Sequence, residues 1–341
     1  MFHRLRFVSL LPLALLLACA SSLGPADRSP VSFREVPSTR SETPFPNWPL
    51  APAKTVELMA DGKAESRDVT SAGGGTTGAE KHTLYFPAAD VEFKVKWKEI
   101  PGRLDGFNNS PRKELASYEI QRVFLEPEDY VVPASAVRCQ PLEEYRERHP
   151  LASPTVTGTQ CVLGVVSVWM KGVTVPDVLY DEERFLSDPQ YAYFMSNLNL
   201  FTYLVDHRDG RDGNFLTSKD DGRRQVFAVD NGISFGPWIF NYFVPNWTHL
   251  RVAAVRKNSV ERLRKLQRAD LDFLTVVVQL EVDDDGLLRT LPPGAPEDPD
   301  DGVTARDGKV QFGLTTSEID GVYARIQKLI QAVDAGHLPV F

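Results

Sequence analysis

The sequence predicts an α+β fold with an antiparallel sheet on its N-terminal side and a mostly helical C-terminal side, and three observations carry this. Residues 91–97 alternate Val91, Phe93, Val95 and Trp97 with Glu92, Lys94 and Lys96, and Lys98 continues the polar row. Period two puts the apolar set on one face of a strand and the lysines on the other. Residues 161–170 are almost continuously apolar, which suits a buried strand. Residues 315–335 repeat Ile319, Val322, Ile326, Leu329 and Val333 at helical spacing behind a Thr315/Glu318 capping box, with Gly336 and Pro339 past the end.

The other elements follow in chain order. Residues 55–59 and 82–86 have strand-like composition and flank the glycine-rich stretch 71–78. A helix is expected over 111–124, opened by Pro111 and burying Leu115, Ala116, Ile120, Val123 and Phe124. Lys171-Gly172 marks a turn where the chain changes lobe. Phe194, Leu198, Phe201 and Leu204 predict a helix over 181–205, and another is expected near 259–267. The acidic stretches 283–285 and 297–301 lie among Gly and Pro and are taken as solvated loops.

A length of 341 residues allows about two lobes, and a net charge of −8 argues against a general nucleic-acid binder, which needs a basic face. His3, Arg4 and Arg6 precede an apolar run, residues 8–17, that is short for a bilayer span, so the N-terminus is expected to be an export signal. Its end, Leu16-Leu17-Ala18-Cys19, resembles the lipobox of bacterial lipoproteins. That resemblance implies a signal peptide over 1–18 and lipid on Cys19, holding the protein to the bacterial cell envelope, at the outer membrane on its periplasmic or surface face. An ordinary signal peptide with an incidental cysteine is the alternative. Residues 19–53, rich in Ser and Pro, are expected to be a disordered tether. An exported chain permits disulfides, which leaves Cys139 and Cys161 either bridged or free.

The chemistry is concentrated in Val205-Asp206-His207-Arg208-Asp209-Gly210-Arg211-Asp212-Gly213-Asn214 and in Val229-Asp230-Asn231-Gly232. Asp209 and Asn214 are five apart, and Asp230 follows Asp209 by 21 residues, behind the apolar stretch 226–229. Phosphoryl transfer needs a carboxylate to orient the acceptor and further ligands for a metal that neutralises phosphate charge. His207-Arg208-Asp209 followed by Asn214 matches the catalytic-loop pattern H-R-D-x-x-x-x-N. A polar turn is the bland alternative, since Asp-Gly occurs twice. A calcium loop is the third, although Asp206, Asp209 and Asp212 are three apart and miss the alternate-residue ligand pattern.

Residues 199–235, with the form D-x-x-x-x-N, an apolar strand and D-N-G-x-x-F, resemble the catalytic and metal segments of the phosphatidylinositol 3-/4-kinase-like superfamily. The type II phosphatidylinositol 4-kinases and the secretory-pathway Golgi-kinase-like branch are the nearest in style, and the looser likeness extends over about 70–245. The resemblance implies a two-lobed protein-kinase-like fold, with an N-lobe of sheet plus one helix over 54–170 and a C-lobe over 171–341. It implies Asp209 as the acceptor-orienting base, and Asn214 and Asp230 as ligands of magnesium or manganese carrying ATP or another nucleotide. Lys94, after Phe93, is similar to the lysine that meets the phosphates and Glu114 to its helix partner; Lys96 and Glu119 are the alternatives. Val95 stands where the family usually has proline.

Within the stretch 73–78, Gly73, Gly74 and Gly75 are candidates for the turn that covers the phosphates, with a plain flexible loop as the alternative. Trp169 and Met170 are placed at the adenine-facing hinge, or simply in a core strand. Trp238, Phe240, Tyr242, Phe243 and Trp247 are expected to pack between elements. The expected function is a lipid-anchored atypical kinase that phosphorylates a protein hydroxyl or, second, a lipid or small-molecule hydroxyl. The rival is a non-catalytic envelope lipoprotein that uses the same fold as a binding or scaffolding module.

Overall fold

In the computed structural model, residues 45–61, 63–73, 78–106, 109–220, 224–236 and 244–341 are described. Cys19, Gly74, Gly75 and the aromatic residues Trp238, Phe240, Tyr242 and Phe243 fall outside them. The described chain is α+β with antiparallel sheets.

It opens with helix α1, Pro52–Asp61. The expectation of a strand at 55–59 and of a tether reaching residue 53 is therefore corrected. Thr55, Leu58 and Met59 are buried at the i, i+3, i+4 positions of a helix, and Asn47 and Trp48 are already buried ahead of it. A run of five residues satisfies both periods, and the neighbouring sheet decides between them.

Strands β1 (Glu65–Ser71), β2 (Glu80–Phe86), β3 (Val91–Glu99), β4 (Ser135–Pro141) and β5 (Cys161–Val168) form a five-stranded antiparallel sheet in the order β1-β2-β3-β5-β4. Phe93, Val95 and Trp97 are buried as the alternation predicts. Cys139 and Cys161 are joined by a disulfide with Cα atoms 5.5 Å apart, tying β4 to β5. Helix α2, Pro111–Ile120, is shorter than expected and continues as a 3₁₀ turn, Gln121–Val123. A short helix α3, Leu142–Arg146, follows β4.

After β5 the chain runs through Trp169 and Met170 into β6 (Val173–Thr174). This strand pairs with β7 (Phe215–Ser218), and β7 pairs with β8 (Val226–Ala228), giving a three-stranded sheet. The single helix expected over 181–205 is two, α4 (Glu182–Ser187) and α5 (Pro189–Leu204). Asp188 caps the second by accepting the N–H groups of Gln190 and Tyr191, each at 3.1 Å, and Pro189 cannot continue the first. Helix α6 is Lys257–Arg264, and α7 is Thr316–Asp334 with the predicted capping box present.

The expectation of a mostly helical C-terminal half is corrected by a four-stranded sheet. Its strands are β9 (Val278–Val282), β10 (Leu288–Leu291), β11 (Val303–Arg306) and β12 (Lys309–Phe312), in the order β10-β9-β12-β11. The acidic stretch 283–285 is the turn between β9 and β10. Asp307 and Gly308, both at positive φ, make a two-residue hairpin turn between β11 and β12. Leu280, Leu288, Val310 and Phe312 of this sheet pack with Leu115, Val137, Leu163 and Val165 in a second core cluster. The main cluster is built around α5, α7 and the other face of the five-stranded sheet.

Candidate functional site

The loop after α5 is held from two sides. Asp206, in the left-handed region, turns the chain. The Arg208 N–H donates to the Ile233 carbonyl (3.2 Å), the Gly210 N–H to Pro245 (2.7 Å), and the Trp247 N–H to His207 (2.9 Å). Asn214 Nδ2 donates to the Asp209 carbonyl at 2.9 Å, closing the five-residue interval read from the sequence. The Val229 N–H donates to the Asn214 carbonyl, so the β7–β8 hairpin carries Asp230 back beside the loop.

Asp230 is itself in the left-handed region, φ 58° and ψ 53°. The left-handed region is uncommon for a non-glycine residue and is reached most readily by Asp and Asn. Asp230 is followed by Gly232, where a Cβ would lie 2.7 Å from Asn109 Cα. That close approach lets the Ser110 N–H donate to the Gly232 carbonyl (3.1 Å) and docks the start of α2 against the segment after Asp230. Glu114, in the first turn of α2, accepts the Asn231 N–H. Its Oε2 has no hydrogen-bond partner among the described residues.

The lysine that reaches this cluster is Lys96, which is ion-paired with Asp230. Lys94, the lysine expected there, lies on the same face of β3 but is exposed and is not brought to Asp230; its carbonyl accepts the Trp169 N–H at 2.9 Å. Lys98, two residues further along, is half-buried with Glu114, Asp230 and Asp209 around it. Burial holds its ammonium below the ordinary lysine range against the pull of those three carboxylates. The Glu114 carboxyl is pushed up by burial and by Asp230. Burial acts on Asp230 in the same direction, but the adjacent Lys96 charge outweighs it and brings the carboxyl below its usual value. Glu119, the alternative acid, is instead ion-paired with Arg122 at 2.7 Å.

Asp209 is 2 % exposed, and both its oxygens are held by Arg211, Nε to Oδ1 at 2.7 Å and Nη2 to Oδ2 at 2.6 Å. Of the covering glycines, Gly73 lies just past β1, with its N–H donating to Ser71 Oγ at 3.2 Å in the β1–β2 connection. Trp169 is partly exposed beneath the Lys81 ammonium, whereas Met170 is buried in the core. Trp247 is buried against Phe215, as expected for a packing aromatic.

Sequence reasoning missed Lys98 and Arg211. Lys98 was signalled by the continuing period of two, and Arg211 by its place inside the motif. Among the described residues, no group of three His, Cys, Asp or Glu side chains is gathered as a metal cage. A magnesium–nucleotide needs only one or two protein ligands beside phosphate oxygens, and Asp230 and Asn214 are the residues here that could hold one.

His207 is fully buried, and neither ring nitrogen meets a neighbouring hydrogen-bonding group among the described residues. Burial brings its pKa down from 6.5 to about 4. The unfolded chain thus binds the proton first, so stability is complete above about pH 6.5 and falls by about 3 kcal/mol as the pH drops towards 4. Urea unfolding at intervals of pH should show this slope. His207→Phe should reduce it, leaving the contributions of His82 and Glu80, whose pKa values are also lowered in the folded state. An unchanged slope in the variant would refute the assignment.

Fold and site together define an α+β protein in which β3, α2, the loop after α5 and the segment after β8 meet in one cluster of lysines and carboxylates. No protein-family model matches the chain, and a search of curated proteins finds no match.

Proposed function

We propose that the protein is an atypical kinase that transfers the terminal phosphoryl group of a metal–nucleotide to a hydroxyl, first of a protein and second of a lipid or small molecule. The observation that carries the reading is the meeting of Lys96 and Asp230, with Glu114, Lys98 and Asp209 around them. These residues come from four separate stretches of chain, and their types match the needs of phosphoryl transfer. In this reading the five-stranded sheet with α2 acts as one lobe and the helical region as the other, with residues 169–172 as the connection.

Asp230 and Asn214 would hold magnesium or manganese, which when bound neutralises phosphate charge. Lys96 turns from Asp230 to the phosphates, and Glu114 with Lys98 keeps that lysine row in place. Asp209 orients the acceptor hydroxyl and takes its proton. Gly73, just past β1, lies on the phosphate side, and the exposed Trp169, with the buried Met170 behind it in the chain, borders the base. Lipid on Cys19 holds the enzyme to the cell envelope through the tether. Among the described residues no helix is long and apolar enough to cross a membrane.

A transfer screen with the full-length protein, radiolabelled ATP and either metal tests the reading. Asp209→Ala should lower transfer at least about 100-fold with an unchanged far-ultraviolet circular dichroism spectrum. Equal transfer by the variant would remove Asp209 from its role. The scaffolding alternative is supported by one observation: Asp209 and Asp230 are both already satisfied by internal cations. No stabilisation by nucleotide with any metal would favour it.

A further inference from the structure

Arg211 has no part in the roles assigned above, yet it lies directly over the proposed base. Its guanidinium occupies both oxygens of Asp209 in a bidentate fork, while 58 % of its own side chain is exposed. Asp209 is almost entirely buried, so the guanidinium is its cover on the solvent side. The Asp209 main chain is held by Asn214, whose Nδ2 donates to its carbonyl at 2.9 Å, so the loop keeps its position under the guanidinium. An incoming hydroxyl must therefore come past the guanidinium to reach the carboxylate.

A neutral hydroxyl is a poor competitor for this position. Two charge-assisted bonds in parallel are stronger and more directional than one neutral bond, and opening the pair leaves a buried carboxylate unmatched. An anionic group beside the hydroxyl changes the balance. A carboxylate or phosphate presents the same two-oxygen edge to the guanidinium, so Arg211 exchanges one anion for another and Asp209 is released to the hydroxyl.

We propose that Arg211 is a cationic gate over Asp209, closing the site to water and opening to an acceptor that carries an anionic group next to its hydroxyl. The inference rests on the phosphotransferase reading. With the gate open, the acceptor O–H gives its proton to Asp209 as its oxygen bonds to the terminal phosphorus. The bond from that phosphorus to the bridging oxygen breaks, and its electron pair leaves on the nucleoside diphosphate. In this step Arg211 holds the acceptor's anionic group, while the proton passes only to Asp209.

The test uses full-length protein in detergent with magnesium and ATP. Thermal stabilisation is measured alongside phosphate release, with glycerol and glycerol 3-phosphate as neutral and anionic probe acceptors. Arg211→Ala should raise acceptor-free phosphate release about tenfold, with Arg211→Lys in between. The wild type should favour glycerol 3-phosphate over glycerol, and Arg211→Ala should lose that preference. A gain of hydrolysis cannot come from mere structural damage. If nucleotide stabilises the wild type but Arg211→Ala releases phosphate no faster, the gate is overturned. Faster release without any preference for the anionic probe overturns the acceptor half. If nucleotide does not stabilise the wild type at all, the underlying reading fails instead.

Discussion

On the phosphotransferase reading, Asp230→Asn should abolish any thermal stabilisation by magnesium with ATP and lower phosphate transfer by on the order of 100- to 1,000-fold. Asparagine is the informative substitution because it tolerates the left-handed backbone that Asp230 adopts, so the loop is not refolded by the change. What is lost is the charge. In the resting protein that charge is matched by Lys96, and burial alone would push the carboxyl up were the lysine not beside it. The variant leaves Lys96 without its counter-ion and keeps the rest of the cluster. Calorimetric titration of nucleotide with and without magnesium separates the two effects. If the variant binds metal-free nucleotide as the wild type does but no longer responds to metal, Asp230 is the metal-holding group. An unaltered metal response would remove that role, and the rest of the assignment would have to be rebuilt around Asp209 alone.

The largest effect on stability is expected from Gly313→Ala, a loss of about 3 kcal/mol in urea unfolding. A Cβ at this position would lie 2.0 Å from the Thr275 carbonyl oxygen and 2.8 Å from that of Leu274. Both obstacles are backbone, so relief requires the end of β12 to part from residues 274–275. Leu314, whose N–H donates to the Leu274 carbonyl at 2.7 Å, would move with it. The damage should also reach the site. Gly313 offers its carbonyl to Arg112 of α2, and Arg112 also grips Glu318 at 2.5 and 3.1 Å and Asp105 at 2.9 Å. Glu318 is at the same time the capping-box acid of α7. The helix bearing Glu114 is thus anchored to the start of α7, and a weakened nucleotide response should accompany the lost stability. A stability change below about 0.5 kcal/mol would show that the 274–275 segment yields freely and that this joint does not hold α2.

The local chemistry was legible because it is written in short intervals. Asp209 and Asn214 lie on one loop, and the apolar β8 strand returns Asp230 to it, so spacing alone placed three groups together. Strand β3 and helix α7 were legible from their periods, since each buries one face. The short segments were not. Residues 55–59 suit either period, and the hydrogen bonds that decide for α1 come from its neighbours. The sheet of β9 to β12 is hard to read from the sequence because its strands are four or five residues long and are separated by exposed acidic connections. The Asp307-Gly308 pair between two alternating runs was the signal available.

By itself the sequence determined which residue types the site contains and their order along the chain, because a loop of five residues or a strand of period two constrains its own geometry. Only the tertiary structure decided that Lys96 meets Asp230 while Lys94 faces solvent, that Lys98 is half-buried near Glu114, and that Arg211 closes over Asp209. All three lysines share one face of β3, so no local rule separates them. The difference is how far along the strand α2 and the segment after β8 cross it, a property of packing between elements far apart in the chain.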